Sequence, residues 1–499
     1  MTQQTSPQYP LVLVLDIGSS STRAVLYDAS ATMVPGMMAR EKQGLHLRSD
    51  GAAEDDPHAL LSRVARCIDG LLARAGAYTA QIAAVGCATY AASVLGLDAD
   101  GQPCTPVYAY ADTRSDAAAE ALRQRLDEAA ILQRTGCPLR TSYLPALLTW
   151  LQSEQPALLG RVARWVSVGE WLFTTLFDRA TISYSCAAWT GLLNRRQLQW
   201  DAELLAELPV RVEQLGALAD VDQPFQGLQR TSSGGRIDWA ARWPALAELP
   251  WFTAVGDGAA ANLGSGCTDA RHIALSIGTS GALRVVAPHE PQIPPGLWCY
   301  RVARDQPLLG GATSEGGNVL TWALNTLKID APALDQQLNQ PSSTRQPLTV
   351  LPFIAGERSP GWSGAAQLTI TGITAATRAL DVARAALEGV TYRWAMIAGL
   401  LREATPGAPT LVASGGGLKY VPHWAQLIAD AIGLPVALSP EPEATSRGVA
   451  LLALRSIGQI RSLDQLPLPL DPAYLPDAAR HAEHQAAIAR QAALYQRLR

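Results

Sequence analysis

The sequence predicts an α/β protein made of two similar halves, and three observations carry that expectation. An unbroken apolar run, Leu11 to Leu15, leads through a turn of small polar residues into a second strand-like run, Ala24 to Tyr27. The same pattern returns much later, where Ile273 to Ile277 leads into Gly278-Thr279-Ser280-Gly281 and then Ala282 to Val286. A third short run, Leu411-Val412-Ala413, ends in Ser414-Gly415-Gly416-Gly417.

Each element has a physical reading. A continuous apolar run bounded by polar residues is a strand buried on both faces. Between the first two runs stands Asp16-Ile17-Gly18-Ser19-Ser20-Ser21-Thr22-Arg23, so the unit is strand, turn, strand. A P-loop runs from strand to helix and ends in Gly-Lys-Ser/Thr, which this segment does not, and the Walker-type reading falls. Two matching hairpins suggest a duplicated domain start, whose turns would present backbone amides to phosphate from opposite walls of a cleft. Only the first copy carries a carboxylate, Asp16 against Ser276, so a magnesium-side role falls to the first half. The triple glycine lets a ligand approach the backbone closely.

At 499 residues, 48% apolar and 17% charged, the chain can bury large cores. An ordinary domain of roughly 150 residues would give about three units, and two large ones fit as well. The expected division is 1–250, 251–460 and a C-terminal helical tail, 461–499. Segments Ser115 to Arg134 and Tyr143 to Val162 read as helical. Apolar residues from Leu380 to Leu401 recur at three- and four-residue steps, which predicts a long helix whose Met and Trp are core.

A net charge of −4 gives no footprint for nucleic acid, and a small-molecule partner is expected. Seven scattered cysteines without a CxxC pair read as reduced packing residues of a cytoplasmic protein. No apolar run approaches a membrane span of about 20 residues. A homodimer is the assembly to test. His481 and His484 read as a solvated helix face rather than a zinc site.

Phosphoryl transfer needs a cradle for the phosphates, a divalent ion and a group to take the proton of the accepting hydroxyl. Gly18, Ser19, Ser20 and Ser21, with Arg23 behind them, and Gly278, Thr279 and Ser280 are the candidate cradles. Either turn taken singly is a common hairpin. Asp257, between Gly256 and Gly258 at the expected start of a small-residue helix, is either a cap accepting the first helical amides or a base open to a ligand.

The paired turns, the Gly-Asp-Gly helix start and the triple glycine occur in the order seen in the FGGY family of carbohydrate kinases, which the chain resembles from about Leu11 to Leu454. Leu351 to Pro360 and Gly310 to Asn318 are similar to further segments of that family. The resemblance implies two ribonuclease-H-like, actin-like ATPase domains with a central cleft, ATP and magnesium as cofactors, and a sugar acceptor. It implies Asp257 as proton acceptor, Asp16 at magnesium, and Thr279, Gly317, Gly416 and Gly417 at the nucleotide. Tyr110-Ala111-Asp112-Thr113-Arg114 resembles the family's aromatic-x-Asp-x-Arg segment, so Asp112 and Arg114 are implied substrate contacts. Without the family they would read as a helix start, Asp capping and Arg solvated.

Within the family the motifs resemble gluconate kinases most, which makes D-gluconate the first expected acceptor and xylulose the second. Related kinases often show His-Ser-Leu-Leu-Gly where this chain has Ala92-Ser93-Val94-Leu95-Gly96. A methyl cannot donate to a sugar hydroxyl as an imidazole does, so Thr89, Tyr90 or a water takes that role, or the substrate differs. Lys419-Tyr420-Val421 departs from the Thr-Arg-Ser usual in gluconate kinases. An actin-like regulatory protein that binds ATP without a sugar is the rival of another class. Glu357 and Arg358 are left unassigned.

Overall fold

The computed structural model describes residues 6–42, 44–179, 181–230, 237–340, 348–407, 409–471 and 473–498. The chain divides into two compact units. The first joins Met1–Gly264 to Cys299–Pro307 and Glu443–Pro467; the second joins Ser265–Trp298, Leu308–Pro442 and Leu468–Arg499.

In the first unit, β1 (Leu11–Ile17) pairs antiparallel with β2 (Ser21–Tyr27), which pairs with β3 (Met33–Lys42), and β1 runs parallel to β4 (Ile82–Thr89). Every residue of β1 is buried, as its apolar run predicts. The register sets Ile17 opposite Thr89, and Gly256 of a further parallel strand opposite Thr89 as well. Asp16, Thr89 and Asp257 therefore gather at the carboxyl ends of neighbouring parallel strands, where open α/β sheets bind ligands.

The second unit repeats the plan. β5 (His272–Ile277) pairs antiparallel with β6 (Gly281–Val286), β6 with β7 (Gln306–Thr313), and β5 runs parallel to β8 (Thr410–Ser414), followed by β9 (Val436–Leu438). The duplication read from sequence is thus a duplicated strand order. Even the arginine recurs: Arg23 donates to Asp16 at 2.8 Å in one unit, Arg284 to Ser276 at 3.2 Å in the other.

The long helix spans Ala379–Ala404 and buries the expected stripe at Ala383, Leu387, Val390, Trp394, Ile397 and Leu401, while Leu380 at its start is only half-buried. Met396 departs from that expectation: it is half-buried and accepts from Arg393 at 3.4 Å.

The units part elsewhere than at residues 250 and 460. Helix Asp257–Gly264 stays in the first unit because it packs on helix Ala444–Ser456 through two glycines; a Cβ on Gly264 would lie 1.7 Å from the Ala444 oxygen and one on Gly448 1.9 Å from the Ala260 oxygen. The C-terminal helix Ala478–Leu498 is no solvated tail. Gln491 donates to the Val350 and Gly389 oxygens at 2.8 and 3.0 Å. His484 is buried on the Tyr392 hydroxyl at 3.0 Å, and burial, then nearby arginines, pulls its pKa down to about 4. A solvated face for His484 is corrected.

The stretches 115–134 and 143–162 are each two helices. Asp127 caps Glu128–Thr135, and Pro156 opens Pro156–Arg161 after Leu144–Glu154. Among the described residues no helix is long and apolar enough to cross a membrane.

Candidate active site

Asp257 is the first residue of its helix, and its Oδ1 accepts from the amide of Gly258 at 2.7 Å and from that of Ala91 at 3.3 Å. The cap and the candidate base are the same carboxylate. Ala91 stands in the turn after β4, so that turn and the first turn of the helix meet on this oxygen.

Asp16 is 3% exposed at the end of β1. Its Oδ2 accepts from Arg23, and from Ser446 at 3.4 Å; Arg23 also pairs with Glu443 at 2.9 Å. Burial pushes the Asp16 carboxyl up to about 6 against the pull of Arg23, with the charges of Asp257 and Glu443 adding to the rise. Asp257 and Asp16 thus lie within electrostatic reach of each other. Among the described residues no three acidic, His or Cys side chains cluster as a metal site. Magnesium does not need such a cage, since one or two carboxylates with waters and phosphate oxygens suffice. The buried Ser21 hydroxyl has no hydrogen-bond partner among the described residues, and with Asp16 it fits such an ion.

Gly18 closes its turn by donating to the Ser21 oxygen at 3.0 Å, and Ser19 and Ser20 lie on the surface of the bend. In the second unit Gly278 donates to the Ser280 oxygen at 2.9 Å, leaving Gly278, Thr279 and Ser280 exposed. The Gly317 amide, at the start of helix Gly317–Thr326, is bonded to the Gly278 oxygen at 2.7 Å; its visible task is to dock that helix on the turn. Gly415 takes a φ of 140°, and Gly416 and Gly417 follow it into a short helix, with open space over Gly416.

A cavity in the first unit opens beside the Ala91 turn. Thr89, Tyr90, Ala91, Ala92 and Asp112 line it, together with residues the sequence did not single out: Ser142, Tyr143, Glu170, Cys186, Trp189 and Gly216. Arg114 does not line it. Its guanidinium is held by Asp112 and Glu54, both at 2.6 Å, and lies over the Trp150 ring at 4.7 Å. Asp112 accepts from Ala53 at 3.2 Å as well. Arg114 thus orients Asp112 rather than facing the cavity.

Cys186 is half-buried and donates to the Ala254 oxygen at 3.2 Å; burial pushes its thiol up to about 11. None of the seven cysteines forms a disulfide. Of the residues missed, Glu170 had a signal, the Ser-x-x-Glu spacing at Ser167, which forms a capping box. Glu443 and Ser446 had none, since they reach Arg23 and Asp16 from the far end of the chain.

Two units of one strand order, each opening on a tight bend of glycine and hydroxyl residues, with two carboxylates at the carboxyl ends of neighbouring strands, define a phosphotransferase of the actin-like kind. Residues 11–264 match the N-terminal domain, and residues 273–457 the C-terminal domain, of the FGGY family of carbohydrate kinases, and the chain belongs to that family. A gluconokinase of Bacillus subtilis (strain 168) is 27% identical over 470 residues, covering 91% of this chain and 89% of its own. The xylulose kinase of Escherichia coli (strain K12) is 25% identical over 481 residues, 94% and 96% of the two chains. The crystal structure of gluconate kinase from Lactobacillus acidophilus superposes with a TM-score of 0.89 at 26% identity, over 98% of each chain.

Proposed function

We propose that this kinase transfers the γ-phosphoryl group of ATP to a primary hydroxyl of a small sugar or polyol, with Asp257 as the general base. As the substrate oxygen bonds to the γ-phosphorus and the bond to the leaving ADP oxygen breaks, the Asp257 carboxylate takes the hydroxyl proton. The observation that carries this reading is that Asp257, held by the Gly258 and Ala91 amides, stands at the turn that also lines the cavity. Magnesium, when bound, neutralises phosphate charge, and Asp16 with Ser21 would hold it.

The relatives speak for D-gluconate as acceptor. The cavity speaks for the second expectation, a neutral ketose such as xylulose, because among the described residues no Lys, Arg or His stands in its lining. We take the neutral acceptor as the reading the geometry supports. The test is ADP release across gluconate, xylulose, ribulose, glycerol and erythritol. Release that no acceptor accelerates would instead point to an actin-like ATP-binding regulator.

A further inference from the structure

Two buried side chains that line the same cavity each carry a polar atom without a hydrogen-bond partner among the described residues. Glu170 is 3% exposed and is the third residue of helix Val168–Phe177. Its Oε2 accepts from the Ser167 amide at 2.6 Å, and its Oε1 has no hydrogen-bond partner among the described residues. That oxygen faces Gly216, where a Cβ would lie 2.0 Å from it, and both residues line the cavity. Trp165, 2% exposed on the strand before the helix, lines the cavity too, and its Nε1 likewise lacks a partner among the described residues. Native proteins leave few such groups unmade, and each calls for an explanation.

Helix capping alone does not explain Glu170, because a capping box works as well with Gln, which carries no charge to bury. Burial pushes its carboxyl up to about 7, against the Ser167 hydrogen bonds and the charge of Arg164, which stands outside the lining. The Cys186 thiol feels the charges of both Glu170 and Asp257, which ties Glu170 to the proposed base. The cavity has a volume of about 50 Å³. At roughly 10–15 Å³ per water-sized position this admits a substituent of a few atoms rather than a whole sugar.

The chemistry of the leftover atoms selects that substituent. An indole N–H only donates and a carboxylate only accepts, whereas a hydroxyl does both. A substrate carboxylate would satisfy Trp165 but meet the like charge of Glu170, with no cation in the lining among the described residues.

Resting on the kinase reading above, we propose that Glu170 and Trp165 form a hydroxyl-reading subsite of the acceptor pocket, and that Glu170 sets a preference for neutral polyols and ketoses over sugar acids.

The experiment compares kcat/KM for matched neutral and acidic acceptors, xylulose with xylonate and sorbitol with gluconate, by coupled ADP release at pH 8, where the Glu170 carboxyl is ionised. Wild type should favour the neutral member of each pair. Glu170→Gln, which keeps the capping box, should lower the neutral-to-acid ratio by about 10- to 100-fold, the weight of one charge-assisted hydrogen bond, chiefly through KM. Trp165→Phe, which removes the N–H together with one ring of the indole, should lower kcat/KM for the neutral acceptor several-fold. Gly216→Ala, which sets a methyl against Oε1, should reproduce the Glu170→Gln pattern, with melting temperatures checking that each variant folds. If ADP release depends on acceptor but the ratio stays within about twofold of wild type in all three variants, a water occupies the subsite and the inference is overturned. A wild-type preference for the acids overturns it as well. Release that no acceptor stimulates overturns the kinase reading itself.

Discussion

Gly448→Ala tests whether the fold holds the proposed base where the chemistry needs it. A Cβ at Gly448 would lie 1.9 Å from the Ala260 oxygen and 2.6 Å from its carbonyl carbon, both backbone atoms of the helix that opens with Asp257. Carbon and oxygen approach to about 3.3 Å at closest comfort, so the helices must part by roughly 1.4 Å. No side chain can swing away to spare them. Overpacking of this kind costs about 1–3 kcal/mol, which at about 2–4 °C per kcal/mol lowers the melting temperature by roughly 2–12 °C. A displacement of about 1 Å at a catalytic group can cost about 10²-fold in rate, and kcat for ADP release should fall by that order. Gly399→Ala is the matched control: it lies inside helix Ala379–Ala404 with nothing within 4 Å, so it should stabilise by about 0.5–1 kcal/mol and leave kcat alone. A Gly448→Ala enzyme with the wild-type melting temperature and kcat would refute the reasoning.

Asp257→Ala should lower acceptor-dependent transfer by about 10² to 10⁴ while ATP binding, followed by calorimetry, persists; equal loss of both would remove Asp257 from the role of base. Arg393, 2% exposed, is paired with Glu357 beneath the rings of Phe353 and Tyr495, so Arg393→Met strands a buried carboxylate and should cost about 3–5 kcal/mol in denaturant melts. Adding Glu357→Gln should restore part of that stability, and a double variant no better than the single would count against the pair. Glu170 holds its proton up to about pH 7 when folded, against an ordinary 4.5, so the folded state binds the extra proton between those values and stability falls as pH rises through that window. The melting temperature of Glu170→Gln relative to wild type should therefore climb from pH 5 to pH 8 by the equivalent of about 3 kcal/mol; a difference flat in pH would contradict the burial argument.

What the sequence disclosed follows from what burial imprints on it. Strands covered on both faces are largely apolar, so the runs Leu11 to Leu15 in β1 and Ile273 to Leu275 in β5 stood out, and with them the duplicated order of each sheet. Tight bends demand small residues, so the turns at Gly18, Gly278 and Gly416 were legible as well. Partners brought in by tertiary folding left no local mark. Ser446 meets Asp16 across 430 residues, and nothing near Arg114 announced that Glu54 would hold it. His484 looked solvated because the tail around it is polar; the helix nonetheless buries one side, and only the packing shows which.

The missing imidazole at position 92 looked from sequence like a lost contact, and the backbone explains how the turn survives it. Ala92 takes a φ of 51°, a left-handed conformation that costs a residue with a Cβ about 1–2 kcal/mol. Three bonds hold the turn in that shape: Tyr90 donates to the Ile17 oxygen at 2.8 Å, the Ser93 hydroxyl to the Tyr90 oxygen at 2.9 Å, and Ala91 to Asp257 at 3.3 Å. Strain of this kind persists where the surroundings over-determine it, and such places are often working sites. The last of the three bonds is made to the proposed base itself. What the turn contributes is then a backbone amide aimed at Asp257, which any residue at position 91 other than proline supplies, while the side chain at position 92 is left to set what the pocket admits. On the proposed reading, an alanine at position 92 leaves the Ala91 amide on Asp257 in place and changes only the lining of the cavity.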